Sequence, residues 1–186
     1  MVTVPRRSTL VTVAVVLALL GAVTAALVVQ APSSRRATTP LSMPPAMGSG
    51  SGELAYPFTA KAIGGHRVSL RSYLGTPLVI TFFASSCAPC ADEAPLLRSV
   101  AARYRPRVAF LAVSAGDAAA PAAAFARRFG WNWPIVVDGD YEFSRQFHVV
   151  GTPTTVVVDS RGRVATVLPG AISASALTAT LSRLVA

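Results

Sequence analysis

Six consecutive residues, Leu78–Phe83 (LVITFF), are aliphatic, β-branched or aromatic, and no charge interrupts them. So short and apolar a run suits a strand buried on both faces, which needs a covering layer above and below its sheet. Val108–Val113 repeats the pattern, and Ile135–Val137, Thr154–Val158 and Val164–Leu168 read as further strands. Helical stretches separate them. One runs from about Ala88 to Tyr104, interrupted by Pro95; the other is Ala118–Phe129, with Pro121 tolerable in its first turn. Tyr56–Ile63 and Arg67–Leu70 flank Gly64-Gly65, a two-residue hairpin signal, and Ser160-Arg161-Gly162 turns the chain between the last two strands. Ser173–Val185 closes the chain as a helix, with Leu177, Leu181 and Leu184 on one face and a serine at its start. The pattern predicts an α/β fold: a mixed central sheet flanked by helices, with an N-terminal hairpin extension.

This pattern occupies residues 53–186 of the 186. Ahead of it, Leu10–Val29 is a twenty-residue run without charge or proline. A helix of that length rises about 30 Å, the thickness of a bilayer's hydrocarbon core, so the run predicts a single transmembrane helix. Arg6 and Arg7, in the short segment 1–9, favour an N-inside orientation and an extracytoplasmic domain; Arg35 and Arg36 pull the other way. Val23-Thr24-Ala25 resembles a small-residue cleavage site, and removal there would give a secreted protein instead. Residues 30–52 carry Pro32, Pro40, Pro44, Pro45 and a Gly/Ser tract. They have scarcely any large apolar side chain, the composition of a flexible tether.

Seventeen basic residues face eight acidic ones, a net charge of +9. Four arginines flank the apolar run, and the remaining thirteen basic and eight acidic residues leave +5 on 53–186, read here as spread without a basic stripe. Nucleic-acid binding would want a clustered basic face with aromatic partners, so that class is excluded.

The two cysteines, Cys87 and Cys90, form Cys-Ala-Pro-Cys four residues after the buried strand and at the start of a helix. A helix N-terminus offers unpaired N–H groups and a positive dipole end, which stabilise the thiolate that is the nucleophile of disulfide exchange. In this reading Cys87 attacks with its sulfur exposed at the helix mouth. Cys90, shielded one turn inside, resolves the mixed disulfide. Ala88 lies between them, and Pro89 holds a helix-compatible turn while donating no N–H. A purely structural disulfide would close too short a loop to constrain the unfolded chain much. A zinc finger would need about four ligands, and His66 and His148 are scattered loop residues. No metal site is expected. Gly151-Thr152-Pro153-Thr154 opens a later strand. Pro153 is either a plain strand starter or, with a cis Thr152–Pro153 bond, a piece of backbone set against the cysteine pair. Trp131 and Trp133 read as core or edge packing.

Taken in order, several segments resemble the TlpA/ResA-like branch of thioredoxins, membrane-anchored reductants of extracytoplasmic disulfides. They are Gly65–Leu70, the strand end Phe82-Phe83-Ala84, Cys87-Ala88-Pro89-Cys90, Glu93-Ala94-Pro95, Gly151-Thr152-Pro153-Thr154 and Asp159–Arg163, within residues 56–186. The resemblance implies a thioredoxin-like fold, attack by Cys87 and resolution by Cys90. It implies a cis Pro153 that, with Thr152, holds an extended substrate segment, and a helix kinked at Pro95. It also implies that Glu93 tunes the thiols or relays protons; the plainer reading of Glu93 is a first-turn acid favoured by the helix dipole. No cofactor is expected beyond the redox-active disulfide itself. The expected partners of this monomer are exported protein disulfides, apocytochrome c among them, and a membrane electron-transfer protein that reloads it. Two positions depart from the pattern. Ser86 stands where most members have a tryptophan, and Thr81 stands where thioredoxins proper bury an aspartate. Three other functions compete. One is a disulfide-forming oxidant on the same fold. Another is a copper chaperone, which would use Cys-x-x-x-Cys and a distant histidine. The third is an interaction module with a vestigial pair. Peroxidase chemistry would not ordinarily need the Cys-x-x-Cys pair.

Overall fold

The computed structural model describes residues 52–186. The expectations for Leu10–Val29 and for most of the tether lie outside the described residues. Among the described residues no helix is long and apolar enough to cross a membrane.

The order is β1 (Thr59–Lys61), β2 (Arg67–Ser69), a 3-10 turn (Leu70–Tyr73), β3 (Leu78–Phe83), α1 (Ala88–Tyr104), β4 (Ala109–Ala115), α2 (Ala119–Phe129), β5 (Ile135–Asp138), α3 (Glu142–Gln146), β6 (Thr154–Val158), β7 (Val164–Pro169) and α4 (Ala174–Leu184). Five strands form one sheet in the order β5-β4-β3-β6-β7. β3 pairs parallel with β4 and β4 with β5, whereas β6 runs antiparallel to both β3 and β7. The sheet is therefore mixed, as expected.

LVITFF occupies the central strand, and all six residues are buried. Its side chains alternate between two cores. Val79 and Phe83 join Leu97, Val100, Phe125 and Leu177 under α1, α2 and α4. Leu78, Ile80 and Phe82 join Phe58, Val68, Phe143 and Phe147 on the opposite face. That second face is covered by the β1–β2 hairpin and by α3, whose five residues the sequence reading left unassigned. Propensity does not explain α3. The Asp138 carboxylate accepts from Phe143 N (2.9 Å), Ser144 N (2.8 Å) and Ser144 Oγ (2.6 Å), and so caps the helix from the end of β5. Tyr141 enters it with φ 60°.

Three boundaries differ from the sequence reading for local reasons. The hairpin is shorter and its turn longer than two residues: Ala62 N donates to the carbonyl of His66 (2.9 Å) around Ile63, Gly64 and Gly65. Both glycines take φ 92°, which favours glycine. The helix runs through Pro95 without a break, because the stretches on either side are packed against the sheet. β4 extends to Ala115 because its last residues pair with β5.

The charge is not spread, contrary to the composition reading; the topology sorts it along the sheet axis. Asp92, Glu93, Asp117, Asp138, Asp140 and Glu142 all follow the C-terminal ends of β3, β4 and β5 or lie in the first half of α1. Arg103, Arg105, Arg107, Arg127, Arg128 and Arg183 stand at the C-terminal ends of α1, α2 and α4, which return to the other end of the sheet. Arg71, Arg161 and Arg163 join them from the turn before β3 and the β6–β7 turn, where Gly75 N donates to the Ser160 carbonyl (2.8 Å). Arg98 lies against Gly130, the C-cap of α2, at the same end.

Candidate active site

β3 delivers the chain to a tight turn, where Cys87 N donates to the Ala84 carbonyl (3.1 Å). Cys87 is the N-cap of α1 in extended conformation (φ −80°, ψ 109°), and its Sγ accepts from Cys90 N at 3.2 Å. Pro89 sits in the first turn of the helix, where its missing N–H is no loss. Cys87 and Cys90 are joined as a disulfide with Cα atoms 5.2 Å apart. Cys90 is buried in the core with 2% exposure, and Cys87 is half-buried, less open than the exposed sulfur expected.

The Thr152–Pro153 bond is cis. The Thr152 carbonyl oxygen lies 3.7 Å from Cys87 Sγ, so the loop before β6 faces that sulfur. That loop is pinned on both sides. Thr154 Oγ1 donates to the Gly151 carbonyl (2.7 Å), and Gly170 N donates to the Pro153 carbonyl (2.9 Å). A second cis bond, Arg105–Pro106, was not foreseen.

Glu93 is not a first-turn acid. It lies beyond the first turn of α1, is only 4% exposed, and accepts from the backbone N–H of Ile172 through Oε1 at 2.8 Å. Burial pushes its carboxyl above the ordinary glutamate range, and the Ile172 hydrogen bond works against that rise. A carboxyl whose folded pKa lies above its unfolded one favours folding while protonated. That contribution is complete below the unfolded pKa and is lost as pH rises through the folded one. Glu93→Gln keeps an acceptor for Ile172 N–H and removes the titration. In denaturant titrations its advantage over wild type should therefore grow as pH rises above the ordinary glutamate range. A wild type and variant that stay parallel across that range would show that ionising Glu93 costs nothing.

Sequence reasoning missed the brace behind the loop. Asp117 accepts from Ser85 N (2.7 Å) and Ser85 Oγ (2.7 Å), and from Ser114 Oγ (2.5 Å). One carboxylate thus ties the turn after β3 to the end of β4. Next to it, a Cβ on Gly116 (φ 74°) would lie 2.1 Å from the Tyr141 hydroxyl, so only glycine lets that ring approach. The Ser85-Ser86 pair, noted in the sequence only for its lack of tryptophan, was the available signal for this brace.

Other expected residues fall outside the site. Trp131 and Trp133 stack at 5.0 Å in the core, and Trp131 Nε1 donates to the Ala94 carbonyl (3.2 Å). Thr81 is buried on β3 opposite Thr155. His66 and His148 are exposed, and among the described residues no group of three or more His, Cys, Asp or Glu could hold a metal.

The chain as a whole is similar to known proteins. The family model for AhpC/TSA matches residues 51–167. The thiol-disulfide oxidoreductase ResA of Geobacillus kaustophilus (strain HTA426) is 30% identical over 123 residues, covering 66% of this chain and 71% of that protein. The structure of MTB dsbF in its mixed oxidized and reduced forms is 31% identical, with TM-score 0.65 over 73% of this chain and 99% of that one. A thiol:disulfide interchange protein of the thioredoxin family from Chlorobium tepidum TLS, at 22% identity, shares the fold, with TM-score 0.66 over 73% of this chain and 97% of that one. The chain therefore belongs to the AhpC/TSA family of thioredoxin-fold proteins, in its TlpA/ResA-like branch, and is a thiol–disulfide oxidoreductase.

Proposed function

We propose that this protein is a membrane-tethered, extracytoplasmic reductant of disulfides in exported proteins, apocytochrome c among them. The supporting observation is a disulfide at the N-terminus of α1 that faces the cis Pro153 loop, with the Thr152 carbonyl 3.7 Å from Cys87 Sγ, in a chain of the TlpA/ResA-like branch. The resemblance to that branch supplies the reducing direction, and the redox midpoint tests it.

In the reducing direction the Cys87 thiolate attacks one sulfur of the client disulfide. A Cys87–client bond forms, and the other client sulfur leaves as a thiolate and takes up a proton. Cys90, deprotonated, then attacks the Cys87 sulfur. The second client thiol is released and the Cys87–Cys90 disulfide closes. Two electrons pass from the dithiol to the client, and a membrane electron-transfer protein restores the dithiol. Glu93, buried on the same helix with its carboxyl pushed above the ordinary glutamate range by burial, is the group proposed to relay protons in these steps. The apolar run Leu10–Val29 supports the tether.

Equilibrating the full chain in graded thiol buffers reads the midpoint of the Cys87–Cys90 couple. A value near or below about −230 mV is expected. A value near or above about −150 mV would make the protein a disulfide donor and end the reductant reading.

A further inference from the structure

Ten arginines gather at the end of the sheet remote from Cys87–Cys90, and every one is exposed. The only acids at that end are Glu53 and Asp159. Helix-dipole complementarity accounts for Arg103, Arg127, Arg128 and Arg183, in the last turns of α1, α2 and α4, and for Arg105, the C-cap of α1. It does not account for Arg71, Arg98, Arg107, Arg161 and Arg163, which come from separate parts of the chain. Two leucines are exposed among them, Leu54 at 67% and Leu74 at 53%, and Leu74 lies against Gly162 of the β6–β7 turn. The described chain also starts here. The Gly52 carbonyl accepts from the Arg163 guanidinium, and Leu54 bridges to Arg163 across the start of β7.

We infer that this end is a bilayer-facing surface for anionic phospholipid: the arginines meet headgroup phosphates, while Leu54 and Leu74 reach the interface. Clustered Arg charge is attracted to an anionic leaflet, each residue adding about fivefold in affinity near the surface. The inference rests on the tether reading and adds an orientation to it, with the disulfide pole turned outward. Duplex nucleic acid would satisfy the charge, but it would leave the two leucines and the position beside the chain's entry unexplained.

Hydrogen exchange on the full chain in nanodiscs of phosphatidylcholine, with and without phosphatidylglycerol, tests this. Segments 70–75 and 159–163 should exchange several-fold more slowly in the anionic discs, and high salt should abolish the difference. Segments 139–142 and 151–153, at the disulfide pole, should be unchanged. The triple variant Arg71→Gln/Arg127→Gln/Arg161→Gln should lose the protection while matching wild type in the neutral discs, which shows that it is folded. Equal exchange in both lipids, or slowing at the disulfide pole, overturns the inference. So does slowing of 70–75 and 159–163 by duplex DNA without slowing by lipid. Retention of the chain in phosphatidylcholine discs tests the tether separately. If that fails, salt-sensitive flotation of the wild type, but not of the triple variant, with phosphatidylglycerol vesicles still supports the surface, and no flotation overturns it.

Discussion

Cys87→Ser protein reduces no disulfide: its exchange rate falls by about a thousandfold or more, to background. The sulfur lost is the only one at the helix mouth, since Cys90 is 2% exposed and lies under the first turn. Cys90→Ala behaves differently. It keeps the attacking sulfur and loses the resolving one, so it accumulates a mixed disulfide with its client on Cys87. The fold should survive either change, because closing a loop between residues three apart contributes only about 2 kcal/mol in chain-entropy terms. Turnover assays with both variants, and non-reducing gels of cells expressing Cys90→Ala, read these outcomes. Appreciable turnover by Cys87→Ser, or an adduct on Cys90 in place of Cys87, would reverse the assignment of roles.

The second large effect is on stability. Phe147 is 2% exposed and meets Phe143 (5.2 Å, stacked), Phe82 (5.8 Å) and Phe58 (6.2 Å). These rings join α3, the central strand and the N-terminal hairpin segment. Phe147→Ala should cost about 3–5 kcal/mol, since both the transfer and the cavity contribute and three elements would have to close the gap. Val150→Ala, at a fully exposed side chain, should stay within about 0.5 kcal/mol and serves as the control. Equal midpoints for the two variants in denaturant would mean that the second core adds little to stability.

What could be read in the sequence was what is local. LVITFF and Thr154–Val158 match their strands residue for residue, because burial on both faces leaves an uncharged run of β-branched, aliphatic and aromatic residues. The cysteine pair was legible because a strand, a tight turn and a helix start lie within a dozen residues. The parts that escaped depend on contacts across the chain. Asp117 reaches Ser85 over 32 positions and Glu93 reaches Ile172 over 79, so no local pattern announces either. α3 escaped because its cap, Asp138, belongs to the preceding strand. The arginines looked dispersed because they are dispersed along the chain; the return of three helices, the turn before β3 and the β6–β7 turn gather them at one end.

The bridge from Ala62 to Val136 and the bond from Ile63 N to the Ile135 carbonyl (2.8 Å) place the hairpin along the outer edge of β5. An open edge strand is a template for any extended chain that meets it. By lying against that margin, residues 62 and 63 take up part of the β5 edge and shorten the stretch on which another extended chain could pair. The sheet then presents β7 as its longer free border.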